Sequence, residues 1–154
     1  SIAQTIVAIL SWLAYPSLGS IDEIRLDAAA RRVAADLRYA QNRAIGSRTI
    51  HGVRFDAGAG RYIVYAGNSG AAIVNPADRG KNLVVSFDAL TETRGVGIES
   101  ASFGATPGVT FDFYGVPRDS AGVELVAAGR VVLLFQGLRD TVEVAPQTGA
   151  IRVP

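Results

Sequence analysis

Few residues in this chain have the type and spacing that catalysis requires. His51 is the only histidine, and no serine or aspartate pattern typical of a nucleophile elbow lies close to it. The chain has no cysteine, which excludes a disulfide framework and a thiolate nucleophile. The segment 67–70 (Gly-Asn-Ser-Gly) lacks the Gly-Lys-Ser/Thr ending of a phosphate-binding loop and is typical of a turn. The sequence therefore predicts a protein that is not an enzyme.

Metal and cofactor sites have equally little support in the sequence. Asn75 and Asp78 share a loop, but two oxygen ligands fall short of the roughly six to eight that calcium takes. A single histidine without any cysteine also leaves too few ligands for a zinc site. We therefore expect neither a bound metal nor an organic cofactor.

The residues best suited to intermolecular contact are arginines. Five of them lie on or just after one predicted helix, opposed by Asp36: Arg31, Arg32, Arg38, Arg43 and Arg48. Such a set can contact the phosphates of a nucleic acid. It can equally be a solvated helix face, or a set of partners for acidic groups on neighbouring molecules. Because these arginines lack the regular aromatic interleaving that base stacking uses, we favour the structural interpretations over nucleic-acid binding.

An uncharged segment precedes this helix, and the first charged residue of the chain is Asp22. Twenty-one residues at a rise of 1.5 Å span about 30 Å, which is close to one hydrocarbon core. Pro16 would kink a helix here, and a signal peptide or a buried core helix are the alternatives. We expect residues 1–19 to lie in a membrane or in the core of a helical assembly, through these side chains: Ile6, Val7, Ile9, Leu10, Trp12, Leu13, Tyr15, Pro16 and Leu18.

An amphipathic helix is predicted over residues 20–46. It opens with a capping-box pattern at Ser20–Glu23, and Gly46 supplies a stop. Apolar residues recur at steps of three and four, which indicates one narrow stripe on an otherwise polar helix. The stripe that we expect to pack on the rest of the protein consists of Leu26, Ala30, Val33, Leu37, Ala40 and Ala44.

The sequence changes its period after Gly46. Alternating segments around Val53–Phe55 and Tyr62–Tyr65 flank a glycine-rich turn and predict a β-hairpin. Further strands are expected at 83–87, 98–103, 109–114, 123–127, 131–135, 141–144 and 150–153, with a long loop over 68–82. The predicted fold class is α+β: a long N-terminal helix packed on an antiparallel β-sheet head, with the head over residues 47–154.

The second half of the helix resembles a known family. Residues 29–45 read AARRVAADLRYAQNRAI, in which a small residue, arginine and an apolar residue precede Leu-Arg-Tyr-Ala and Ala-Ile. This pattern is similar to that of the minor pseudopilins of the H-type (GspH/FimT-like) family among the type IV pilin-like proteins. Four downstream motifs fall in the expected order: Val53-x-Phe55, Tyr62-x-Val64, Phe111-Asp112-x-x-Gly115-x-Pro117 and Val144-x-Pro146-x-Thr148-Gly149. Thr5 stands where the family usually has a glutamate at its fifth mature residue, so we expect either missing first residues or a divergent member.

The resemblance implies a structural minor pseudopilin of a type II secretion pseudopilus, which supports export of folded proteins across the outer membrane. It implies an inner-membrane single-pass protein with a periplasmic head, which joins other pilin-like subunits in a hetero-oligomeric filament in the periplasm or at the cell surface. The alternatives are a minor type IV pilin in pilus assembly or DNA uptake, and a membrane-tethered periplasmic binding module. Residues 138–154 form a neutral tail, which argues mildly against a role in DNA binding.

Overall fold

The computed structural model describes residues 17–68 and 70–154. Most of the apolar segment predicted for residues 1–19, from Ile6 to Pro16, lies outside the described residues. Among the described residues, no helix is both long enough and apolar enough to cross a membrane.

One long helix, α1, covers Ser17–Ser47. Its 31 residues extend for about 46 Å at the standard rise. The capping box at Ser20 does not begin the helix, as the sequence had suggested, because Ser17–Gly19 are already helical and offer intrahelical acceptors to the amides that a cap would serve. The helix ends one residue beyond the predicted stop, where Arg48 adopts a left-handed conformation (φ 52°).

The head contains two antiparallel sheets rather than the single sheet that the sequence suggested. Sheet 1 has six strands: β1 (His51–Asp56), β2 (Arg61–Ala66), β3 (Ala71–Ala72), β4 (Val84–Ser86), β6 (Gly108–Phe111) and β7 (Pro117–Asp119). Its order is β3-β2-β1-β6-β7, and β4 also pairs with β2. Sheet 2 has the order β10-β9-β8-β5 and contains β5 (Gly97–Ser102), β8 (Gly129–Phe135), β9 (Leu138–Val144) and β10 (Ile151–Arg152). Two short 3₁₀ turns cover Phe87–Ala89 and Thr91–Thr93.

Three local predictions within the head are wrong. Residues 123–127 form no strand, because Val123 and Val126 find no apolar layer to face and only Glu124 makes a single bridge, to Arg118. The strand predicted over 109–114 ends at Phe111, since Asp112 accepts the amides of the next residues and starts a turn. The loop predicted over 68–82 contains the two-residue strand β3, and the three-residue strand β7 was also not predicted.

The core lies between α1 and the inner faces of both sheets and forms one cluster. Val53 and Phe55 on β1, and Val131 and Leu133 on β8, alternate inward as the two-residue period of a strand requires. The helix packs chiefly on β1 of sheet 1 and β9 of sheet 2, and so contacts both sheets. The predicted α+β class, a long helix on antiparallel sheets, is therefore confirmed.

Candidate functional site

The head-facing side of α1 is almost free of solvent. All six residues of the predicted stripe are at most 4% exposed, and Ala29 and Ala34 beside them are also buried. Five of these eight residues are alanines, whose small side chains let the helix backbone approach the strands closely: Ala29, Ala30, Ala34, Ala40 and Ala44. Val33 and Leu37 fill the space between them, so this side of the helix belongs to the fold itself.

A buried polar contact fixes the helix against β2. The Tyr62 hydroxyl donates to Asp36 Oδ2 at 2.6 Å, and Arg32 Nε donates to the same oxygen at 3.0 Å. Burial, followed by the negative charge of Asp36, raises the pKa of the Tyr62 phenol well above its ordinary value. Because the phenol keeps its proton, it remains a donor to Asp36 throughout the physiological range. We call these three residues the polar lock.

A second set of hydrogen bonds ties the helix to two turns of the head. The Gln41 side-chain amide donates to the carbonyl of Gly115 at 3.0 Å and to that of Gly149 at 3.3 Å. Gly149 has a φ of 69°, and a Cβ there would lie 2.5 Å from Gln41 Nε2 and 2.7 Å from the Gly115 oxygen. The close approach therefore requires glycine at position 149. Two motifs that carried the sequence resemblance, around Gly115 and Gly149, thus meet at one helix residue.

The five arginines of the predicted contact set do not form one stripe. Arg31 pairs with Asp27 at 2.8 Å on the exposed side, Arg32 belongs to the polar lock, and Arg38 donates to the Ile151 carbonyl at 2.8 Å. Arg43 and Arg48 are exposed and have no ion pair among residues 17–68 and 70–154. Of the five arginines, only these two, at the end of the helix, make no side-chain hydrogen bond or ion pair within the described chain.

The outward side of α1 carries apolar residues near its N-terminal end. Ile21 and Ile24 are 53% and 63% exposed, whereas Leu26 is the first buried residue after position 20. Within residues 21–68 and 70–154, the first side-chain hydrogen bond from helix to head comes from Arg25, whose Nη1 donates to the Arg94 carbonyl at 3.2 Å. The eight described residues before Arg25 amount to about 12 Å of helix that leads from the uncharged segment into the head.

The residues that the sequence offered for catalysis or metal binding make hydrogen bonds or ion pairs with neighbouring residues of the chain. His51 is 3% exposed, and its Nδ1 lies 2.8 Å from the Thr49 carbonyl, to which it donates. The Asn75 and Asp78 side chains accept backbone amides of their own loop, and Asp78 pairs with Lys81. Within the described ranges, no three histidine or carboxylate side chains come together as a metal site.

The outer face of sheet 1 contains a groove of about 360 Å³ that the sequence did not reveal. It is lined by side chains from four strands and their loops, among them Arg54, Tyr65, Thr110 and Arg118. No motif spacing indicates such a site, because its residues come from two distant segments, 50–70 and 110–122, that are joined only by strand register.

A long N-terminal helix laid against an antiparallel two-sheet head is the plan of the pilin-like proteins. Among solved structures, the chain is similar to EpsH, the minor pseudopilin of the type II secretion system of Vibrio cholerae, with a TM-score of 0.56 and 14% identity over 84% of this chain and 96% of that chain. It is also similar to the type IV minor pilin FimU of Pseudomonas aeruginosa PAO1, with a TM-score of 0.54 and 16% identity over 84% and 87% of the two chains. No protein-family model and no curated protein sequence matches it. The resemblance inferred from the sequence is thus confirmed at the level of the fold.

Proposed function

We propose that this chain is a non-catalytic, structural subunit of a pilin-like filament, in which the outward side of α1 packs against neighbouring subunits. The observation that carries this proposal is the division of the helix into a buried side and a side with exposed isoleucines. The pilin-like fold supports it, since both similar structures are named as minor subunits of such systems.

Association through this side of the helix is energetically reasonable. Burying an exposed isoleucine on assembly contributes about 1.5–3 kcal/mol at most. Ile21 and Ile24 are already half or more exposed in the single subunit, so their burial requires no rearrangement of the head. The uncharged residues 1–19 add an apolar surface that serves first as an inner-membrane anchor and then as the filament core.

A cysteine crosslinking experiment tests the assembly surface directly. The native chain has no cysteine, so a single substitution gives an unambiguous disulfide partner. We expect Ile24→Cys to form disulfides with neighbouring subunits that carry cysteines along their own N-terminal helices. The matched control is Ala57→Cys, which is exposed in the β1–β2 turn away from the helix. Equal crosslinking at both positions, or none at Ile24, would contradict the proposal.

For the host system, our first choice is a type II secretion pseudopilus with a periplasmic head and filament. The likeness to EpsH supports this choice. The test compares the culture medium of a strain that lacks the chain with that of a complemented strain. Loss of specific proteins from the medium, with their accumulation in the periplasm, is the expected result.

The second choice is a minor type IV pilin, which the likeness to FimU supports. An unchanged culture medium together with loss of surface fibres would favour it over the pseudopilus. DNA uptake would additionally require contacts to phosphates, for which Arg43 and Arg48 are the arginines without an ion pair in the described chain. Replacing both by glutamine should then lower DNA affinity and flatten its salt dependence.

The third choice is a membrane-tethered periplasmic binding module, which the groove on sheet 1 supports. An anchor exchange separates it from the filament proposals. Replacing residues 1–19 by an unrelated membrane anchor should abolish function in a filament subunit, because the new helix lacks the packing surface. A tethered binding module should retain its function after the same exchange.

A further inference from the structure

Two glycines on β1 and β6 allow residues that line the groove on sheet 1 to approach the strands closely. Tyr65, Gly52, Thr110 and Arg118 face each other in register across β2, β1, β6 and β7. A Cβ at Gly52 would lie 2.6 Å from the Tyr65 ring and from the Val109 carbonyl oxygen. A Cβ at Gly108 on β6 would lie 2.5 Å from Ser120 Oγ. A side chain at either position would displace Tyr65 or Ser120, both of which line the groove.

Arg118 forms one wall of the groove, and each nitrogen of its guanidinium has a hydrogen-bond partner. Its Nε lies 3.4 Å from Asp112 Oδ2, its Nη2 donates to Glu124 at 2.9 Å, and its Nη1 donates to the Gly122 carbonyl. Asp112 is held in turn by the amides of Tyr114 and Val116. The charge of Arg118 is therefore compensated, and its guanidinium is held in place by three partners.

Arg54 on the opposite side has a different environment. Its guanidinium carbon lies 5.8 Å from the centre of the Tyr65 ring, and it has no carboxylate partner among residues 17–68 and 70–154. Cation–π contact with Tyr65 orients the guanidinium but leaves its N–H groups free to donate. A planar fork of donors with an uncompensated charge is the group that proteins use to bind carboxylates and phosphates in a bidentate manner.

The hydroxyls on the groove floor add further donor capacity. Tyr65 Oη and Thr110 Oγ1 lie 2.9 Å apart and share one hydrogen bond, which leaves the second hydroxyl proton free for a ligand. The charged residues that line the groove are two arginines and Asp112. Because Asp112 is paired with Arg118, these lining residues leave one uncompensated positive charge, that of Arg54, which favours a monoanion over a phosphate dianion.

The span of the strand residues across the groove fits a short extended peptide. The row from Tyr65 to Arg118 crosses three strand spacings, which is about 14 Å. Four residues of extended chain cover about the same distance. We propose that the groove binds a carboxylate carried by an extended peptide segment of another protein, with Arg54 as the bidentate donor and the Tyr65–Thr110 hydroxyl pair as the second contact. The carboxylate is either an acidic side chain or a chain terminus.

The experiment titrates the ¹⁵N-labelled full-length chain in detergent with three short peptides. N-acetyl-Ala-Ala-Ala offers a terminal carboxylate, N-acetyl-Ala-Glu-Ala-amide offers a side-chain carboxylate, and N-acetyl-Ala-Ala-Ala-amide offers none. We expect saturable amide shifts on β1, β2 and β6 around Arg54, Tyr65 and Thr110 with at least one of the first two peptides. The peptide that binds more tightly identifies the source of the carboxylate.

Two variants with a matched control test the assigned roles. Arg54→Gln should weaken binding by about tenfold or more, because it removes a charge-assisted fork. Thr110→Val, which keeps the shape of the side chain, should weaken binding by about threefold to tenfold. Arg61→Gln, on the same sheet but outside the groove, should bind like the native chain. A native-like amide spectrum of each variant shows that the head is folded.

Several results would overturn the proposal. They are equal shifts with the amidated peptide, unchanged affinity in Arg54→Gln, the absence of any saturable shift at millimolar peptide, and tighter binding of inorganic phosphate than of either carboxylate peptide. Selective binding of a carboxylate peptide that depends on Arg54 would support it. None of these outcomes depends on filament formation, so the site and the filament proposal succeed or fail separately.

Discussion

The two sides of α1 differ in what their residues contact. On the head-facing side, Leu37 and the alanines around it are buried against both sheets. On the outward side, Ile24 and Arg31 are exposed, and the one ion pair of Arg31 among the described residues is with Asp27 on the same helix. The comparison teaches that one side of the helix stabilises the head, while the other is free for intermolecular contact. Substitutions on the two sides should therefore separate stability from assembly.

The largest expected effect comes from truncating the buried side. Leu37→Ala should lower the free energy of unfolding by about 2–5 kcal/mol, because it leaves a cavity in a site that is 0% exposed. Ile24→Ala removes a similar aliphatic side chain from the outward side and should cost less than about 0.5 kcal/mol. Urea unfolding of both purified variants beside the native chain measures the difference.

The same pair should give the opposite result in assembly. Ile24→Ala should lower incorporation into filaments although its stability is native-like. If the two variants lose similar stability, the helix does not divide into the two sides described here.

The next largest effect concerns two ion pairs with the same spacing on the same helix. Asp36→Ala removes the acceptor of both Arg32 and the buried Tyr62 hydroxyl, and should cost about 2–3 kcal/mol. Asp27→Ala breaks an exposed i,i+4 pair and should cost no more than about 0.5 kcal/mol. Thermal unfolding of the two variants compares the stability contributed by a buried and by an exposed ion pair within the same helix. A cost for Asp27→Ala that matches that of Asp36→Ala would show that burial is not the cause.

The helix was predictable from the sequence because its information is local. The three- and four-residue steps from Leu26 to Ala44 define a buried side without any knowledge of the head. The head was predicted less completely. Alternation indicates that a segment such as Val131–Phe135 is a strand, but it does not say which strand pairs with which, so the division into two sheets was missed.

The polar lock and the groove depend on contacts between distant residues. Asp36 meets Tyr62 only after β2 has docked on the helix, and Arg54 meets Tyr65 only through the register of β1 and β2. In the sequence, Gly52 gave a weak indication of the close packing beneath the groove, since a glycine inside a strand often marks a close approach of another group. The predicted arginine set failed to form one stripe because Arg32 and Arg38 are used within the subunit.

A smaller effect is expected from the donor of the polar lock. Tyr62→Phe should cost about 1–2 kcal/mol at neutral pH, since it removes one hydrogen bond to a charged group. It should also change the alkaline limb of the stability curve. The pKa of Tyr62 is raised above its ordinary value of 10.0 in the folded state. The stabilisation is thus complete below that value and is lost as the pH rises toward the folded-state pKa, because the unfolded chain releases the proton first.

Urea unfolding at neutral pH and at about pH 11 measures this limb. The native chain should lose more stability between the two conditions than Tyr62→Phe does. Tyr114→Phe is the control, because Tyr114 is 78% exposed and should leave the alkaline limb unchanged. Equal alkaline losses in all three proteins would mean that Tyr62 does not retain its proton through burial and Asp36.

The smallest effect is expected at the junction between the helix and the two turns. Gln41→Ala removes the donor that reaches the Gly115 and Gly149 carbonyls and should cost about 0.5–1.5 kcal/mol. Because both carbonyls lie in turns, the loss should also appear locally, as faster amide hydrogen exchange in the turns around 112–116 and 146–149. Asn42→Ala, on the next and exposed residue of the helix, is the matched control and should leave both turns unchanged. Faster exchange over the whole head in Gln41→Ala would instead show that these hydrogen bonds stabilise the head as a whole and not the two turns.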